Sequence, residues 1–272
     1  MTQLDTGTDD LLAELDDGVA ILTMNRPARR NAMSEAMMAA LDRMLGQVEV
    51  DDSVGCVVLT GAGGAFCAGG DVKAMAERNA AGGSHSVDAA IHRQRLRQRA
   101  TSGRLWHMPK PTIAAIGGPA AGAGLGLALA CDLRYAVEGA VLTTAFARVA
   151  FSGDYGGSWF LTQLVGSAKA KELYYFSDRL SAADAERLGI VNAVFPAPDF
   201  DQEVKRLARQ LAHGPLIAYR YMKENLNRAV GGELGECMDL EVTHHVHTGQ
   251  TEDHREAAQA FVERREPRFT GR

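Results

Sequence analysis

Cysteine is scarce in this chain, and the four residues present are widely separated. They stand at positions 56, 67, 131 and 237 of 272. No two of them form a CxxC pair, so the spacing gives no support to a structural zinc site or a disulfide framework. Scattered single cysteines are typical of reduced, cytoplasmic proteins, and we expect a cytoplasmic location.

An excess of basic residues and a high aromatic content are both lacking. Aromatic residues make up 6% of the chain, and the formal net charge is −5. A nucleic-acid-binding surface needs positive charge or stacking side chains, so neither double-stranded nor single-stranded nucleic acid is an expected partner. The first 25 residues carry six acidic side chains and no basic one, which does not fit a signal peptide.

One uncharged segment is long enough to be considered as a membrane helix, from Thr112 to Cys131. Twenty residues would suffice for a membrane helix, but this run contains five glycines and Pro119. These residues favour a buried strand, a tight turn and a buried helix. We therefore expect no membrane span.

Alternating strands and helices predict an α/β fold. The apolar, β-branched runs that predict strands are 19–24, 54–60, 112–116 and 133–137. Asn31 is predicted to cap the first helix, a second helix is predicted from about Val72, and residues 79–103 are predicted to be irregular. We expect a disordered tail at 1–10, a core at 11–200 and a helical C-terminal region at 201–272.

Two glycine-rich segments, 65–71 and 122–124, are each predicted to lead into a helix. Neither fits a phosphate loop or a dinucleotide-binding fingerprint. Backbone N–H groups in the first turn of a helix attract negative charge, so two converging segments could form an oxyanion hole. Tight turns without a catalytic role explain the same residues, and spacing alone leaves both interpretations open.

Three motifs in fixed order resemble the crotonase (enoyl-CoA hydratase/isomerase) superfamily over roughly residues 15–270. They are AFCAGGDVKAM, KPTIAAIGGPAAGAGLGLALACDLRYA and FVERREPRF. The resemblance implies a spiral of ββα units with a helical C-terminal trimerisation region, and a homotrimer or dimer of trimers. It also implies an acyl-CoA substrate whose thioester oxygen accepts hydrogen bonds from the N–H groups of Gly70 and Ala123.

The same resemblance implies the residues that contact the substrate. Coenzyme A is part of that substrate, so no separate cofactor and no metal are expected. The implied substrate-binding residues are Arg26, Arg29, Arg30, Ala68, Lys73, Gly122 and Phe146. Arg264 and Arg265 are further candidates for the phosphates of a neighbouring subunit's coenzyme A, and Met75, Trp106 and Phe146 are candidate walls of the acyl pocket.

The chain departs from the hydratase pattern at two positions. Hydratases that this chain resembles use two glutamates to activate water, but Gly126 and Phe146 stand at those positions here. Neither residue can exchange a proton. Hydration by the usual mechanism is therefore not expected.

One carboxylate stands close in sequence to the second of these positions: Asp154 lies eight residues after Phe146. In some relatives that move a double bond, the single acid/base stands at this position, so Asp154 is predicted to shuttle a proton across a thioester enolate. A nucleophilic role occurs in an aryl-CoA dehalogenase branch, which has a tryptophan where this chain has Phe146. Capping of the helix that starts near Gly156 is the structural alternative. An atypical hydratase and a non-catalytic acyl-CoA-binding protein remain the alternative functions.

Overall fold

A largely parallel sheet lies at the centre of the protein. The computed structural model describes residues 1–72 and 86–272. The strands of these residues are β1 (Thr2–Leu4), β2 (Leu11–Asp16), β3 (Val19–Met24), β4 (Cys56–Gly61), β5 (Thr112–Ile116), β6 (Ala120–Ala121), β7 (Leu133–Val137), β8 (Val141–Thr143), β9 (Leu180–Ser181) and β10 (Ala193–Phe195). The described strands form a seven-stranded sheet in the order β1-β2-β3-β4-β5-β7-β10 and a smaller sheet in the order β6-β8-β9.

The helices of the described residues alternate with these strands and then continue without them. They are α1 (Glu35–Val50), α2 (Val87–Gln98), α3 (Arg104–His107), α4 (Ala123–Ala130), α5 (Gly157–Phe176), α6 (Ala182–Arg187), α7 (Phe200–Ala212), α8 (Leu216–Ala229), α9 (Leu234–Thr248) and α10 (Glu252–Glu263). The predicted α/β class with a helical C-terminal part is confirmed.

The parallel strands are apolar because both faces of the sheet are covered. One face packs against a large core that includes α1 and α4. The other face packs against Phe200, Val204, Ala208 and Ala212 of α7. The first helix of the predicted C-terminal region is thus part of the core.

The uncharged run 112–131 folds as a buried strand, a turn and the short helix α4. All eight residues of α4 are buried, which explains why this stretch contains no charge. None of the helices in the described ranges has the length and apolar character needed to span a membrane.

Three local expectations are wrong. The predicted disordered tail contains β1, which pairs with β2 in antiparallel register. A three-residue edge strand is held by backbone hydrogen bonds to one neighbour, so it leaves no clear apolar pattern in the sequence. Asn31 has φ +57° and lies before α1, and the helix is capped by Ser34, whose side chain accepts a hydrogen bond from the Met37 N–H. Residues 87–98 of the predicted irregular stretch form α2.

Candidate active site

The two glycine-rich segments lie against each other at the ends of β4 and β5. The Ala121 N–H donates a 2.9 Å hydrogen bond to the Cys67 carbonyl. A Cβ atom on Gly69 would lie 2.7 Å from the Ala121 carbonyl oxygen and 3.3 Å from the Ala123 nitrogen. One on Gly124 would lie 2.4 Å from the Cys67 carbonyl oxygen. Glycine is therefore required for this close approach of the two backbones.

The N–H groups of Gly70 and Ala123 are available to a ligand. Ala123 is the first residue of α4, after Gly122, which adopts φ +54°. First-turn N–H groups have no partner within their own helix. In the described part of the chain, no hydrogen bond uses the N–H of Gly70 or of Ala123. Both residues line one cavity of about 210 Å³, where their N–H groups and the α4 dipole favour an anion.

Asp154 lines the same cavity, from the loop before α5. Its Oδ2 accepts a hydrogen bond from Gln94 Nε2 at 3.4 Å. Its Oδ1 is buried and has no hydrogen-bond partner among the described residues. Burial raises the pKa of this carboxyl to about 6, because desolvation disfavours the charged form.

Asp154 does not cap α5 with its side chain. The N-cap position is Gly156, and the contact between Asp154 and the helix is a hydrogen bond from the Gly157 N–H to the Asp154 backbone carbonyl at 3.1 Å. The side chain accepts its hydrogen bond from Gln94 of α2 instead. The capping interpretation of this residue is therefore wrong.

Gly126 cannot be replaced by a longer residue without moving the loop that carries Asp154. A Cβ atom at Gly126 would lie 3.0 Å from Tyr155 Cβ and 3.4 Å from the Asp154 carbonyl oxygen. The loop therefore occupies the space that a glutamate side chain at this position would need. A glycine at position 126 therefore allows the loop to place Asp154 where it is, and a glutamate at 126 would collide with this loop.

Phe146 is buried beside the second glycine-rich segment. Its ring lies 3.7 Å from where a Cβ of Gly122 would be, and it stacks on Tyr174 with centroids 5.7 Å apart. Trp106, in contrast, packs against Trp159 and Phe160, with ring centroids 5.1 and 5.5 Å away. Neither Trp106 nor Phe146 lines the cavity that contains Asp154, so their predicted role as walls of an acyl pocket stays a prediction.

The predicted cationic residues near the N-terminus differ in their surroundings. Arg26 is engaged within the chain: its guanidinium lies 3.3 Å from Asp71 and 3.6 Å from Asp10. Arg29 and Arg30 are exposed, and the Arg30 carbonyl accepts the Ala68 N–H at 2.9 Å, close to Gly70. Lys73 and Met75 lie outside the described residues.

The two C-terminal arginines lie at the end of α10. Arg265 forms ion pairs with Glu256 and Glu263, each with an N–O distance of 2.6 Å. Arg264 adopts a left-handed conformation with φ +54° and is exposed. The intrachain pairs of Arg265 leave Arg264 as the more accessible cation of the two.

The cavity also contains residues that the sequence analysis did not identify. Gln94 and Arg97 of α2 line it, together with Ser34, Glu35 and Met38 from the start of α1. Arg97 forms an ion pair with Glu35. Single glutamines and arginines in a polar stretch carry no motif, and the only signal is that 94 and 97 fall on one face of a helix.

A family model described as enoyl-CoA hydratase/isomerase matches residues 14–272. The chain is 36% identical to 1,2-epoxyphenylacetyl-CoA isomerase of Escherichia coli, over 96% of this chain and 98% of that protein. It is 35% identical to 4-chlorobenzoyl coenzyme A dehalogenase-2 of an Arthrobacter species, over 84% and 82% of the two chains. A crystal structure of a putative enoyl-CoA hydratase from Streptomyces coelicolor superposes with a TM-score of 0.90, at 32% identity over 97% of this chain and 94% of that one.

Proposed function

The chain belongs to the enoyl-CoA hydratase/isomerase family of acyl-CoA enzymes, and we propose that it moves a carbon–carbon double bond within an acyl-CoA thioester. In this proposal the Gly70 and Ala123 N–H groups bind the thioester oxygen, and Asp154 transfers the proton. The observation that carries the proposal is the position of Asp154: it lines the cavity that Gly70 and Ala123 also line, and its buried Oδ1 has no hydrogen-bond partner among the described residues.

The proposed reaction needs one base and one anion site. The Asp154 carboxylate takes a proton from C2 of a 3-enoyl-CoA, and the electron pair moves onto the thioester oxygen to give a dienolate. The two N–H groups stabilise this oxygen as its negative charge develops. Asp154 then returns the proton to C4, and the double bond lies between C2 and C3. A carboxyl with a pKa of about 6 is suited to both steps near neutral pH.

Hydration is less well supported by the same residues. Water addition needs a group that removes a proton from water and a group that delivers one to carbon. Gly126 and Phe146 supply neither, and the loop at Asp154 fills the space beside Gly126. An atypical hydratase and a non-catalytic acyl-CoA-binding protein are therefore alternatives that the assays below test.

A nucleophilic role of Asp154 is the second candidate. Similarity to a protein named 4-chlorobenzoyl coenzyme A dehalogenase favours it: the Asp154 carboxylate could attack a halogen-bearing aryl carbon, form an aryl ester and release the halide. In the dehalogenase pattern that this chain resembles, a tryptophan accompanies the aspartate, and this chain has Phe146 at that position. Proton transfer is therefore the better-supported role.

Binding of the coenzyme A phosphates is proposed for the exposed cations near the hole segment. Arg29 and Arg30 are exposed. The backbone hydrogen bond from the Ala68 N–H to the Arg30 carbonyl holds them close to the first glycine-rich segment. Arg26 is proposed to act indirectly, because Asp10 and Asp71 already hold its guanidinium. Lys73 and a neighbouring subunit's Arg264 remain candidates from the sequence, and no cofactor apart from the substrate's coenzyme A is proposed.

A homo-oligomer, either a trimer or a dimer of trimers, is proposed for the assembly. Helix α9 exposes an apolar stripe with a four-residue spacing, at Leu234, Met238, Val242 and Val246, which are 56–75% exposed. Such a stripe marks an association surface. Light scattering should give a multiple of the 29.1 kDa chain mass, and a Val242→Asp variant should dissociate. The four free cysteines support a reducing compartment, and we propose the cytoplasm.

Kinetics of Asp154→Asn test the catalytic proposal directly. We expect turnover of 3-enoyl-CoA to 2-enoyl-CoA, followed by chromatography of the thioesters, to fall by about 10²–10⁴-fold. Acyl-CoA binding, measured by calorimetry, should change little because the asparagine keeps the shape of the side chain. Activity close to that of the unaltered protein would refute the role of Asp154. Binding without turnover of any tested acyl-CoA by the unaltered protein would favour the non-catalytic alternative.

A further inference from the structure

Helix α2 turns a polar face towards the protein. Three of its residues are half-buried, Gln94, Arg97 and Gln98, and the rest are exposed. Its apolar residues are on the outside: Ile91 is 43% exposed and Leu96 51% exposed. A helix that packs for stability alone buries its apolar face. The inward face of α2 is instead made of side chains that can hydrogen-bond and carry charge.

This polar face meets the loop that carries Asp154. Gln94 Nε2 donates a hydrogen bond to Asp154 Oδ2 at 3.4 Å. One turn later, Gln98 Oε1 accepts the Tyr155 N–H at 2.8 Å. Gln98 therefore holds the backbone of the loop, and Gln94 holds one oxygen of the carboxylate. Arg97, between them, lines the same cavity and pairs with Glu35.

We propose that Gln94 is a positioning residue, which rests on the proposed function of Asp154 as the proton carrier. The Gln94 amide nitrogen holds Oδ2 and so fixes the orientation of a carboxyl group that lines the cavity. An ionised carboxylate only accepts hydrogen bonds, so the amide must present its nitrogen. The amide itself does not titrate near neutral pH, so it holds the carboxylate in the same way before and after the proton moves.

The contact restricts the orientation of the Asp154 carboxyl. Rotation of the carboxyl would break the bond between Oδ2 and Gln94. A carboxyl held in one orientation can take a proton from one carbon of the substrate and return it to a different carbon of the same molecule. A carboxyl without this contact would be free to turn away from the cavity.

A change of Gln94 to methionine tests this role, because methionine has a similar shape and cannot donate a hydrogen bond. The contact with Gln94 favours the charged form of Asp154, so its loss should raise the pKa of this carboxyl. Because the bond is long at 3.4 Å, we expect the acid limb of the kcat/KM profile to move upward by about half a pH unit and kcat to fall about threefold. The affinity for acyl-CoA should stay within twofold.

Leu96→Met is the matched control, since it introduces the same side chain on the exposed face of the same helix. Its profile should superimpose on that of the unaltered protein. Both variants keep the other titratable or charged groups near Asp154. These are Glu35 of α1, Asp71, Arg97 of α2, Tyr155 of the loop before α5, and Tyr174 of α5. A shift seen only with Gln94→Met therefore reports the lost amide.

A second measurement does not depend on turnover. The carboxyl carbon of Asp154 can be titrated by NMR in protein labelled with ¹³C-aspartate, with Asp154→Asn to assign the signal. A pKa that rises in Gln94→Met and not in Leu96→Met supports the inference. An unchanged pKa and an unchanged pH profile would overturn it. If Asp154→Asn is fully active, the proposed function itself fails; if that variant is inactive and Gln94→Met behaves like Leu96→Met, only the positioning role fails.

Discussion

Replacing Asp154 by asparagine should stabilise the folded protein at neutral and alkaline pH. The carboxyl is largely buried, one of its oxygens has no hydrogen-bond partner among the described residues, and burial raises its pKa from 3.8 to about 6. The charged form is therefore disfavoured in the folded state. An amide of the same shape removes that unfavourable charge and can still accept the hydrogen bond from Gln94.

The magnitude follows from the pKa difference of about two units between the folded and the unfolded state. Each unit corresponds to about 1.4 kcal/mol, which gives about 3 kcal/mol for a fully desolvated group. Asp154 keeps some contact with solvent, and screening reduces the expected gain to about 1–2 kcal/mol. For a chain of this size, that corresponds to a rise in Tm of about 3–5 °C.

The stability gained by Asp154→Asn depends on pH. Below about pH 3 the carboxyl is protonated in both states and contributes no penalty. As the pH rises from about 3 to about 7, the unfolded state releases its proton first, and stability is lost. The gain from Asp154→Asn should thus be close to zero near pH 3, partial at pH 4.5 and complete above pH 7.

Thermal unfolding at pH 4.5 and pH 8 measures this difference. Asp178→Asn is a suitable control, because the Asp178 side chain is 78% exposed and surface changes alter stability by less than about 0.5 kcal/mol. A variant Asp154→Asn that is less stable than the unaltered protein at pH 8, or a gain that is equal at both pH values, would refute the reasoning.

Three further substitutions test packing and charge, two of them at the site and one in the core away from it. Gly69→Ala should lower both stability and activity, because its Cβ would lie 2.7 Å from a carbonyl oxygen; Gly64→Ala, which has a similar positive φ but nothing within 4 Å, should cost only about 1 kcal/mol in a denaturant titration. Gly126→Glu should destabilise the protein and yield no hydrated product by chromatography, since the Asp154 loop fills that space. Lys223→Met should lower the free energy of unfolding by about 1–2 kcal/mol, because it removes the ammonium 2.9 Å from the half-buried Asp132 and leaves this carboxylate with only its two hydrogen bonds from Thr112; an unchanged midpoint would contradict this.

Strands were predicted correctly where a short apolar, β-branched run is also buried in the central sheet. The β-branched run Val19–Met24 and the run Thr112–Ile116 form strands with the predicted bounds. Helix α2 was not predicted, because sequence periodicity detects helices through an apolar face and the inward face of α2 is polar. The Asn31 cap was wrong because the chain first makes a left-handed turn at Arg30 and Asn31 and only then starts α1.

The candidate site was predictable only in part. Gly70, Ala123 and Asp154 follow from motif positions, and the structure brings them to one cavity. Gln94 has no motif, and its relation to Asp154 depends on a contact across 60 residues of chain. For Arg26, the sequence predicted a phosphate-binding residue, but the fold brings its guanidinium to Asp10 and Asp71. These two ion pairs could not be predicted from the sequence.

Product analysis in isotopically labelled water tests the central proposal most directly. The protein would be incubated with 3-enoyl-CoA or 2-enoyl-CoA in deuterated water enriched in heavy oxygen, beside Asp154→Asn, and the products examined by mass spectrometry. The proposed proton shuttle predicts a migrated double bond, with or without deuterium and without heavy oxygen, and loss of this product in the variant. Heavy oxygen in the product would contradict isomerisation and show that the site adds water without the two glutamates.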